Sequence, residues 1–263
     1  MYSIKKNLEI FVLFSIYSLK TILQARLGIV LFTLGKIIRF IFLLGLIVLI
    51  FGKLKVVKGY TLEQAVLFYL TYNLIDTGTQ VLFREVYRFR SMVLYGGLDH
   101  VLLKPYHPFV RILLGGVDFM DLILFVPYVL ITMYVATLAF EISLLNILLY
   151  FVLFINGLII ATAFHIFALS LAILTSEIDH TMMIYRDLTS IGRFPMNIYK
   201  EPVRTLFTFF IPVGIMMAFP VYSFLNQLSF TLFILAFLIS ATLFTGSIRL
   251  WTFALKKYQS YGG

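Results

Sequence analysis

Residues 83–111 read FREVYRFRSMVLYGGLDHVLLKPYHPFVR, a basic and turn-forming stretch between two long apolar stretches. Gly96-Gly97 is expected to end one short helix, because glycine readily takes the positive φ that closes a helix. Asp99 is then placed to accept amide hydrogen bonds at the start of a second short helix. The stretch is therefore predicted to form short surface helices held against a membrane, although an ordinary basic loop between spans has the same composition.

The composition assigns the chain to the integral membrane proteins. Hydrophobic residues make up 61% of it, charged residues 13%, and the mean hydropathy is +1.00, which no water-soluble domain of this length would tolerate. The net charge is +9, but the basic residues stand at the ends of apolar runs, so they indicate orientation in a lipid bilayer rather than nucleic-acid binding. The chain has no cysteine, which excludes disulfides, cysteine metal sites and thiol catalysis.

Apolar runs of about 20 residues predict membrane-spanning helices, because backbone amides cannot stay unpaired in hydrocarbon. The predicted fold is a single all-α transmembrane domain over residues 1–263. Its six predicted spans are 29–51, 62–83, 112–139, 144–175, 177–194 and 229–254. An interfacial helix at 7–27, a cytosolic loop at 84–111 and an external re-entrant segment at 195–222 complete the predicted layout.

Positive charges predict that both termini are cytosolic and that the protein is a multi-pass protein of the cell membrane. Basic residues beside spans favour the cytosolic side, and they occur in the N-terminal segment, the 84–111 loop and the C-terminal segment. Both termini on one side require an even number of spans. Lys53, Lys55 and Lys58 would then lie outside, so this loop disagrees with the orientation that the other three segments favour.

Residues 177–222 contain four of the seven prolines, at Pro195, Pro202, Pro212 and Pro220, so no long uninterrupted helix is expected there. Two layouts fit this stretch. Either a cytosolic loop extends to about Arg204 and precedes a span, or a short polar fifth span at 177–194 precedes a re-entrant hairpin at the outer face. Irregular backbone at membrane depth must be buried in protein or line a cavity. The family resemblance described below favours the second layout.

The predicted interfacial helix at 7–27 combines polar and apolar faces. Lys6, Ser18 and Lys20 are expected to meet water, whereas Phe11 and Phe14 are expected to enter lipid. A poorly amphipathic first span is the alternative interpretation.

Five charged residues fall inside the predicted spans at a similar depth: Lys36, Arg39, Asp76, Asp118 and Asp121. Ionisable residues within a span are costly and are often functional. We therefore expect a cluster of charges between the spans on the cytosolic side, whose pairings could change as the protein changes conformation. The alternative is that Lys36 and Arg39 extend toward lipid headgroups, since helix side chains point toward the helix N-terminus.

The sequence carries no signature of a catalytic or cofactor site. It lacks the GxxxxGK[ST] loop that holds ATP phosphates, so the energy for any active process would come from another chain. His165 has no second ligand at metal-binding spacing and is expected to be a hydrogen-bonded packing residue. Asp118-x-x-Asp121 is a weak basis for a membrane-embedded enzyme acting on lipid, and intramembrane carboxylates would also suit a proton-coupled secondary transporter.

Two motifs resemble those of type-2 ABC exporter permeases. The first is Gly97-Leu98-Asp99-x-x-Leu102-Leu103-Lys104-Pro105-x-x-Pro108, which resembles the coupling segment of the branch with a Gly-x-Leu-Asp-x-x-Leu-Leu-[Arg/Lys]-Pro signature. The second is Arg193-Phe194-Pro195-x-x-Ile198-Tyr199, followed by Ile211-Pro212 and Phe219-Pro220 before the last span. This chain has Lys104 where the family usually has Arg, and His100 is no fixed family residue.

The resemblance implies a six-span permease that works as a dimer, with itself or with a similar second permease, on two separate nucleotide-binding ATPase subunits. ATP and Mg would bind to those subunits, so this chain would not itself be an enzyme and would carry no cofactor. The substrate does not carry over from the family. ATPase coupling is assigned by resemblance to Arg84, Arg88, Gly96, Gly97, Leu98, Asp99, Leu102, Leu103, Lys104 and Pro105. The external gate is assigned to Pro195, Pro202, Pro212 and Pro220.

Overall fold

The computed structural model describes residues 4–24, 26–54, 56–140, 143–175 and 179–259, and within them the chain is helical. The isolated bridge between Val57 and Tyr60 is the one β contact of these residues. The helices are α1 Ile4–Gln24, α2 Arg26–Leu54, α3 Leu62–Phe83, α4 Phe89–Leu94, α5 Gly97–Leu102, α6 Phe119–Ala139, α7 Leu144–Thr175, α8 Asp179–Ser190, α9 Val203–Phe210, α10 Gly214–Phe224 and α11 Phe230–Lys257.

Four helices of the described residues are long and apolar enough to cross a membrane, and α9 with α10 makes up to five if this bent pair is one span. The four are Leu27–Leu54, Phe119–Ala139, Leu144–Thr175 and Phe230–Lys257. An all-α membrane protein is therefore confirmed, whereas the predicted count of six spans is not.

Helix α3 covers the same residues as the second predicted span, 62–83, but it is not among the apolar candidates. A capping box between Thr61 and Gln64 starts it, because each side chain accepts a hydrogen bond from the other residue's backbone amide. Most of its side chains are buried by neighbouring helices, including Phe68 and Ile75. Protein rather than lipid therefore surrounds this central helix, which accommodates its polar residues.

The third predicted span, 112–139, is wrong at its start. A π-helical turn covers Val110–Leu114 and ends at Gly115 and Gly116. Helix α6 begins only at Phe119. Both glycines have positive φ, at 58° and 99°. A Cβ at Gly116 would lie 2.7 Å from the backbone of Phe14 in α1, so this position has no room for a side chain.

The fifth predicted span, 177–194, is replaced by the short helix α8, with a 3₁₀ turn at Ile191–Arg193; residues 177 and 178 lie outside the described residues. Its 12 residues extend for about 18 Å, less than the roughly 30 Å of hydrocarbon in a bilayer. The contacts of α8 and the turn after it nevertheless extend from near the end of α3 to its middle. Tyr185 packs on His165, which also packs on Phe83, while Arg193 donates to the Tyr72 hydroxyl at 3.3 Å.

The proline-rich segment is broken into a largely exposed helix, α9, and a deeply buried one, α10. Helices α9 and α10 meet at an angle of 78°, and Pro212 lies in the break between them. The Tyr60 hydroxyl accepts a hydrogen bond from Asn197 at 2.9 Å and donates one to Gln227 at 3.2 Å. Residues before α9 and after α10 thus reach the same end of the bundle, as in a re-entrant segment. We call this the Tyr60 end, and the opposite one, which carries α4 and α5, the hairpin end.

Candidate functional site

The α4–α5 hairpin begins where α3 ends, through a 3₁₀ turn at Arg84–Arg88. Gly96 joins the two helices with φ of 70°, as the sequence predicted for the Gly96-Gly97 pair. The predicted second short helix is α5, and Gly96 rather than Asp99 occupies its N-cap position. Asp99 lies in the first turn, and its amide donates to the Gly96 carbonyl at 3.2 Å.

The hairpin has one buried face and one exposed face. Leu98 and Phe89 are fully buried in an apolar cluster that includes Trp251 of α11. On the other side Tyr95 is 86% exposed and Leu103 83% exposed, next to the exposed Lys104 and Pro105. The coupling motif of the sequence thus divides into residues that anchor the hairpin and residues that face outward, a division that the motif alone does not reveal.

A buried carboxylate, Glu85, secures the hairpin to the segment that follows it. Arg111 donates to Glu85 at 2.5 Å, and Arg88 lies 3.5 Å from the other carboxylate oxygen. A Cβ at Gly115 would lie 2.5 Å from the Glu85 side chain, so this residue too must be glycine. The sequence analysis did not identify Glu85. Its spacing to Arg88 suggests an exposed helical ion pair, and no sequence pattern relates it to Arg111.

Asp118 lies at the helix boundary and not within a span. Its carboxylate accepts hydrogen bonds from the amides of Met120 and Asp121 at the N-terminus of α6, and it lies 3.6 Å from Arg84. Its own amide donates to the Val81 carbonyl at 3.0 Å. Asp118 therefore starts α6 and ties that start to the end of α3.

Three of the five residues predicted to form a charge cluster belong to one polar network. Lys36 of α2 forms an ion pair with Asp121 of α6 and donates to Gln80 of α3 at 3.0 Å. Gln80 in turn donates to Asp76 at 2.9 Å. Asp121 is completely buried, and its second carboxylate oxygen has no hydrogen-bond partner within the described residues. The network links three helices near the hairpin end.

Arg39, the fifth residue of the predicted cluster, is exposed and lines a cleft beside this network together with Arg186 of α8. The cleft encloses about 30 Å³, enough for a water molecule or two. Tyr72 forms part of its wall, and the Arg193 guanidinium stacks over the Tyr72 ring at 5.0 Å. The polar 177–194 stretch thus contributes Arg186 to the wall of this cleft.

The four prolines of the predicted gate occupy different positions in the broken segment. Pro195 precedes the 3₁₀ turn Met196–Ile198, Pro202 precedes α9, and Pro212 follows the end of α9. Pro220 lies within α10 and is buried. They thus mark successive breaks and helix ends along the segment, and their role as a gate stays a prediction.

The residues considered for a metal site or for catalysis by carboxylates, namely His165, Asp118 and Asp121, have structural contacts. Within the described residues, no three His, Asp or Glu side chains come together as a metal ion requires. His165 bonds to the Ala161 carbonyl at 2.7 Å, in keeping with the predicted packing role. Asp118 and Asp121, the carboxylates that a lipid-modifying enzyme would use, are held by helix capping and by Lys36.

Comparison with known proteins identifies one family. No curated protein and no solved structure matches the chain. The family described as ABC-2 family transporter protein matches residues 37–262, which covers α3 to α11 and most of α2. The match includes the hairpin, the broken segment and the Asp76, Gln80 and Asp121 members of the polar network, whereas Lys36 lies one residue before it. The chain is therefore a member of the ABC-2 transporter family, a multi-pass membrane protein of the permease type.

Proposed function

We propose that the protein is the membrane-spanning subunit of an ATP-driven exporter, powered by a separate ATPase that docks on the α4–α5 hairpin. The observation that carries this proposal is the two-faced hairpin. An apolar residue, Leu103, is almost fully exposed beside Lys104, while the opposite face is fixed to Trp251. A protein surface with an exposed apolar centre and a basic neighbour is suited to a protein partner.

The hairpin is connected to the membrane helices by short, direct links. It continues from α3 through the turn at Arg84–Arg88, and Glu85 joins that turn to Arg111. Arg84 faces Asp118 at the start of α6, and Lys36 then joins α6 to α2. A displacement of the hairpin by a partner would therefore move the ends of α3 and α6 together, which is the motion that alternating access requires.

The proposed topology places the hairpin end in the cytosol of the cell. Basic residues are concentrated there, among them Arg88, Arg90 and Lys104, in line with the positive-inside tendency. Six crossings result if the four apolar helices are joined by the buried α3 and by the connection through α8. The 195–222 segment then faces the outside as a gate, α1 lies in the cytosolic interface, and both termini are cytosolic. A second permease, identical or similar, completes the transporter.

The test is co-purification from native membranes. We compare the tagged full-length chain with Leu103→Asp and with Leu144→Asp, which changes an equally exposed leucine at the Tyr60 end. Leu103→Asp is expected to reduce the bound ATPase and the vanadate-sensitive ATP hydrolysis by more than about tenfold, since an interface anchor contributes roughly 2 kcal/mol or more. Leu144→Asp should retain both. The proposal would be refuted if the wild-type preparation contained no ATPase. It would also be refuted if the two variants retained the same amount of bound ATPase.

A further inference from the structure

A cavity of about 380 Å³ lies between α1 and the segments that support the hairpin. The side of α1 contributes Tyr17, Ser18 and Thr21. The opposite wall contributes three arginines, Arg84, Arg88 and Arg111. A volume above 300 Å³ is within the range of small-molecule binding pockets.

Positive charge exceeds negative charge in this cavity, because the three arginines face only Glu85 and Asp118 as acidic wall residues. Two of the arginines are loosely paired. Arg84 lies 3.6 Å from Asp118, and Arg88 lies 3.5 Å from Glu85 with 72% of its side chain exposed. A guanidinium carries five N–H donors, so Arg84 and Arg88 retain donors for a further acceptor. Oxygen atoms of a phosphate group match this geometry.

Aromatic rings hold two of these guanidinium groups in place. Arg84 lies over the Phe32 ring at 5.3 Å, and Arg111 lies over the Phe14 ring at 5.5 Å. Such cation–π contacts orient a guanidinium without using its N–H groups within the ring plane. The cavity therefore has charged donors that are positioned before a ligand binds, which lowers the entropy cost of binding.

The two helices next to the cavity, α1 and the first half of α2, have apolar and exposed outer faces, turned away from the cavity wall. On α1 the exposed residues are Val12, Leu13, Ile16, Leu19 and Leu23, and on the first half of α2 they are Leu27, Val30 and Leu31. A basic cavity behind helices with apolar outer faces fits an amphiphile that places a phosphate headgroup in the cavity and acyl chains against those faces. A soluble phosphate compound would use the cavity but not these faces.

We propose that this cavity binds the phosphate group of an anionic membrane lipid through Arg84, Arg88 and Arg111, and that the lipid thereby joins α1 to the base of the hairpin. The inference depends on the chain being a membrane protein and not on the proposed transport function. Its test measures lipid binding by the isolated chain, so it can succeed or fail independently of any partner ATPase.

The experiment uses the purified full-length chain in detergent, with native mass spectrometry of retained lipid and thermal unfolding in added lipid. The probes are dioleoyl phosphatidylglycerol, dioleoyl phosphatidylcholine and inorganic phosphate. Phosphatidylglycerol is expected to be retained and to raise the unfolding temperature, with much smaller effects from the other two. Arg88→Gln should reduce phosphatidylglycerol retention about tenfold, the factor that corresponds to the loss of one charge-assisted hydrogen bond.

Arg90→Gln is the matched control, because it removes the same charge two positions away and outside the cavity. It should retain phosphatidylglycerol as the wild type does. If Arg88→Gln and Arg90→Gln retained equal amounts of phosphatidylglycerol, the assignment of the binding site to this cavity would be overturned. Equal stabilisation by phosphatidylcholine would overturn the preference for an anionic headgroup, and equal stabilisation by inorganic phosphate would overturn the assignment to a lipid. Arg84→Gln, which leaves the capping bonds of Asp118 in place, provides a second variant.

Discussion

Lys36 of α2 and Asp121 of α6 form an ion pair across 85 positions of sequence, and the Asp121 carboxylate is fully buried. The pair fixes α2 against α6 at the depth where the sequence predicted a cluster of charges. Because burial removes the Asp121 carboxylate from water, its charge is tolerated only while Lys36, which is partly buried, is present.

The first prediction follows from this mutual dependence. Lys36→Met leaves Asp121 buried without its partner and should lower the free energy of unfolding by about 3–5 kcal/mol, whereas Lys36→Met with Asp121→Leu should recover most of the loss. Unfolding of the purified protein is the measurement. Lys53→Met, an exposed lysine of the same helix, is the control and should have little effect. A double variant as unstable as Lys36→Met would contradict the buried-pair interpretation.

The second prediction concerns the attachment of α1. Gly116→Ala places a Cβ 2.7 Å from the Phe14 backbone in a residue with φ of 99°, so α1 should move away from the 115–118 turn. Since the natural chain has no cysteine, Ser15→Cys with Val117→Cys gives a specific pair for a short thiol cross-linker. The Val117 amide donates to the Ser15 hydroxyl at 3.1 Å in the present arrangement.

Cross-linking yield should fall several-fold when Gly116→Ala is added to this pair of cysteines. Gly246→Ala is the matched control, because no atom lies within 4 Å of a Cβ at that helical position. Replacing an interior helix glycine by alanine there should be neutral or stabilising by about 0.5–1 kcal/mol. An unchanged yield with Gly116→Ala would show that α1 does not depend on this close approach.

The third prediction separates the roles of Leu98 and Leu103, two of the three leucines in the Gly97–Pro105 motif. Leu98→Ala removes a fully buried side chain and should cost about 2–5 kcal/mol of stability. Leu103→Ala changes an exposed side chain and should alter stability by no more than about 0.5 kcal/mol. Thermal unfolding in detergent measures both. A large loss of stability with Leu103→Ala would mean that this residue supports the fold and is not a surface for a partner.

The fourth prediction tests the link between the flanks of the broken segment. Tyr60→Phe removes the hydroxyl that contacts Asn197 and Gln227 and should cost roughly 1 kcal/mol. Amide hydrogen exchange should accelerate in residues 195–229 and not in the α4–α5 hairpin. Tyr134→Phe, which changes an exposed tyrosine, is the control. Faster exchange spread over the whole chain would indicate general destabilisation in place of a local link.

The pKa of Tyr60 agrees with this role. Burial raises the pKa of its hydroxyl above 10, and the hydrogen bond from Asn197 opposes that rise in part. A raised folded-state pKa contributes stability that is present below the pKa of the unfolded chain and is lost as the pH rises through the folded value. The hydroxyl is therefore protonated at neutral pH, and its contribution should disappear only in alkaline solution above about pH 10.

Helix positions were predictable where local signals were strong. The bounds of α3 agree with the predicted 62–83 because Thr61 and Gln64 form a capping box at its start. Those of α7 agree with the predicted 144–175 because its apolar run is long and uninterrupted. The break before α6 was missed, since Ile112, Leu113 and Leu114 continue the apolar pattern up to Gly115. Helix periodicity alone cannot distinguish a π turn from the first turn of a span.

The sequence predicted which residue types form the site, but it predicted less well which side chains contact one another. Lys36 and Asp121 pair directly, Asp76 joins them through Gln80, and Asp118 serves as a helix cap. Phe14 was expected in lipid, yet it contacts Arg111 and Tyr106. Contacts of this kind join residues far apart in sequence, and only the fold determines them.

Gly157 has a mechanical consequence. A Cβ atom at Gly157 would lie 2.6 Å from the Met216 carbonyl oxygen. The backbones of α7 and α10 are therefore in direct contact at this point. Two elements in such contact cannot slide past each other without a steric clash. We therefore expect α7 and the broken segment to behave as a stationary frame. Any transport pathway should open away from this contact, along α2, where Lys36 and its polar partners lie.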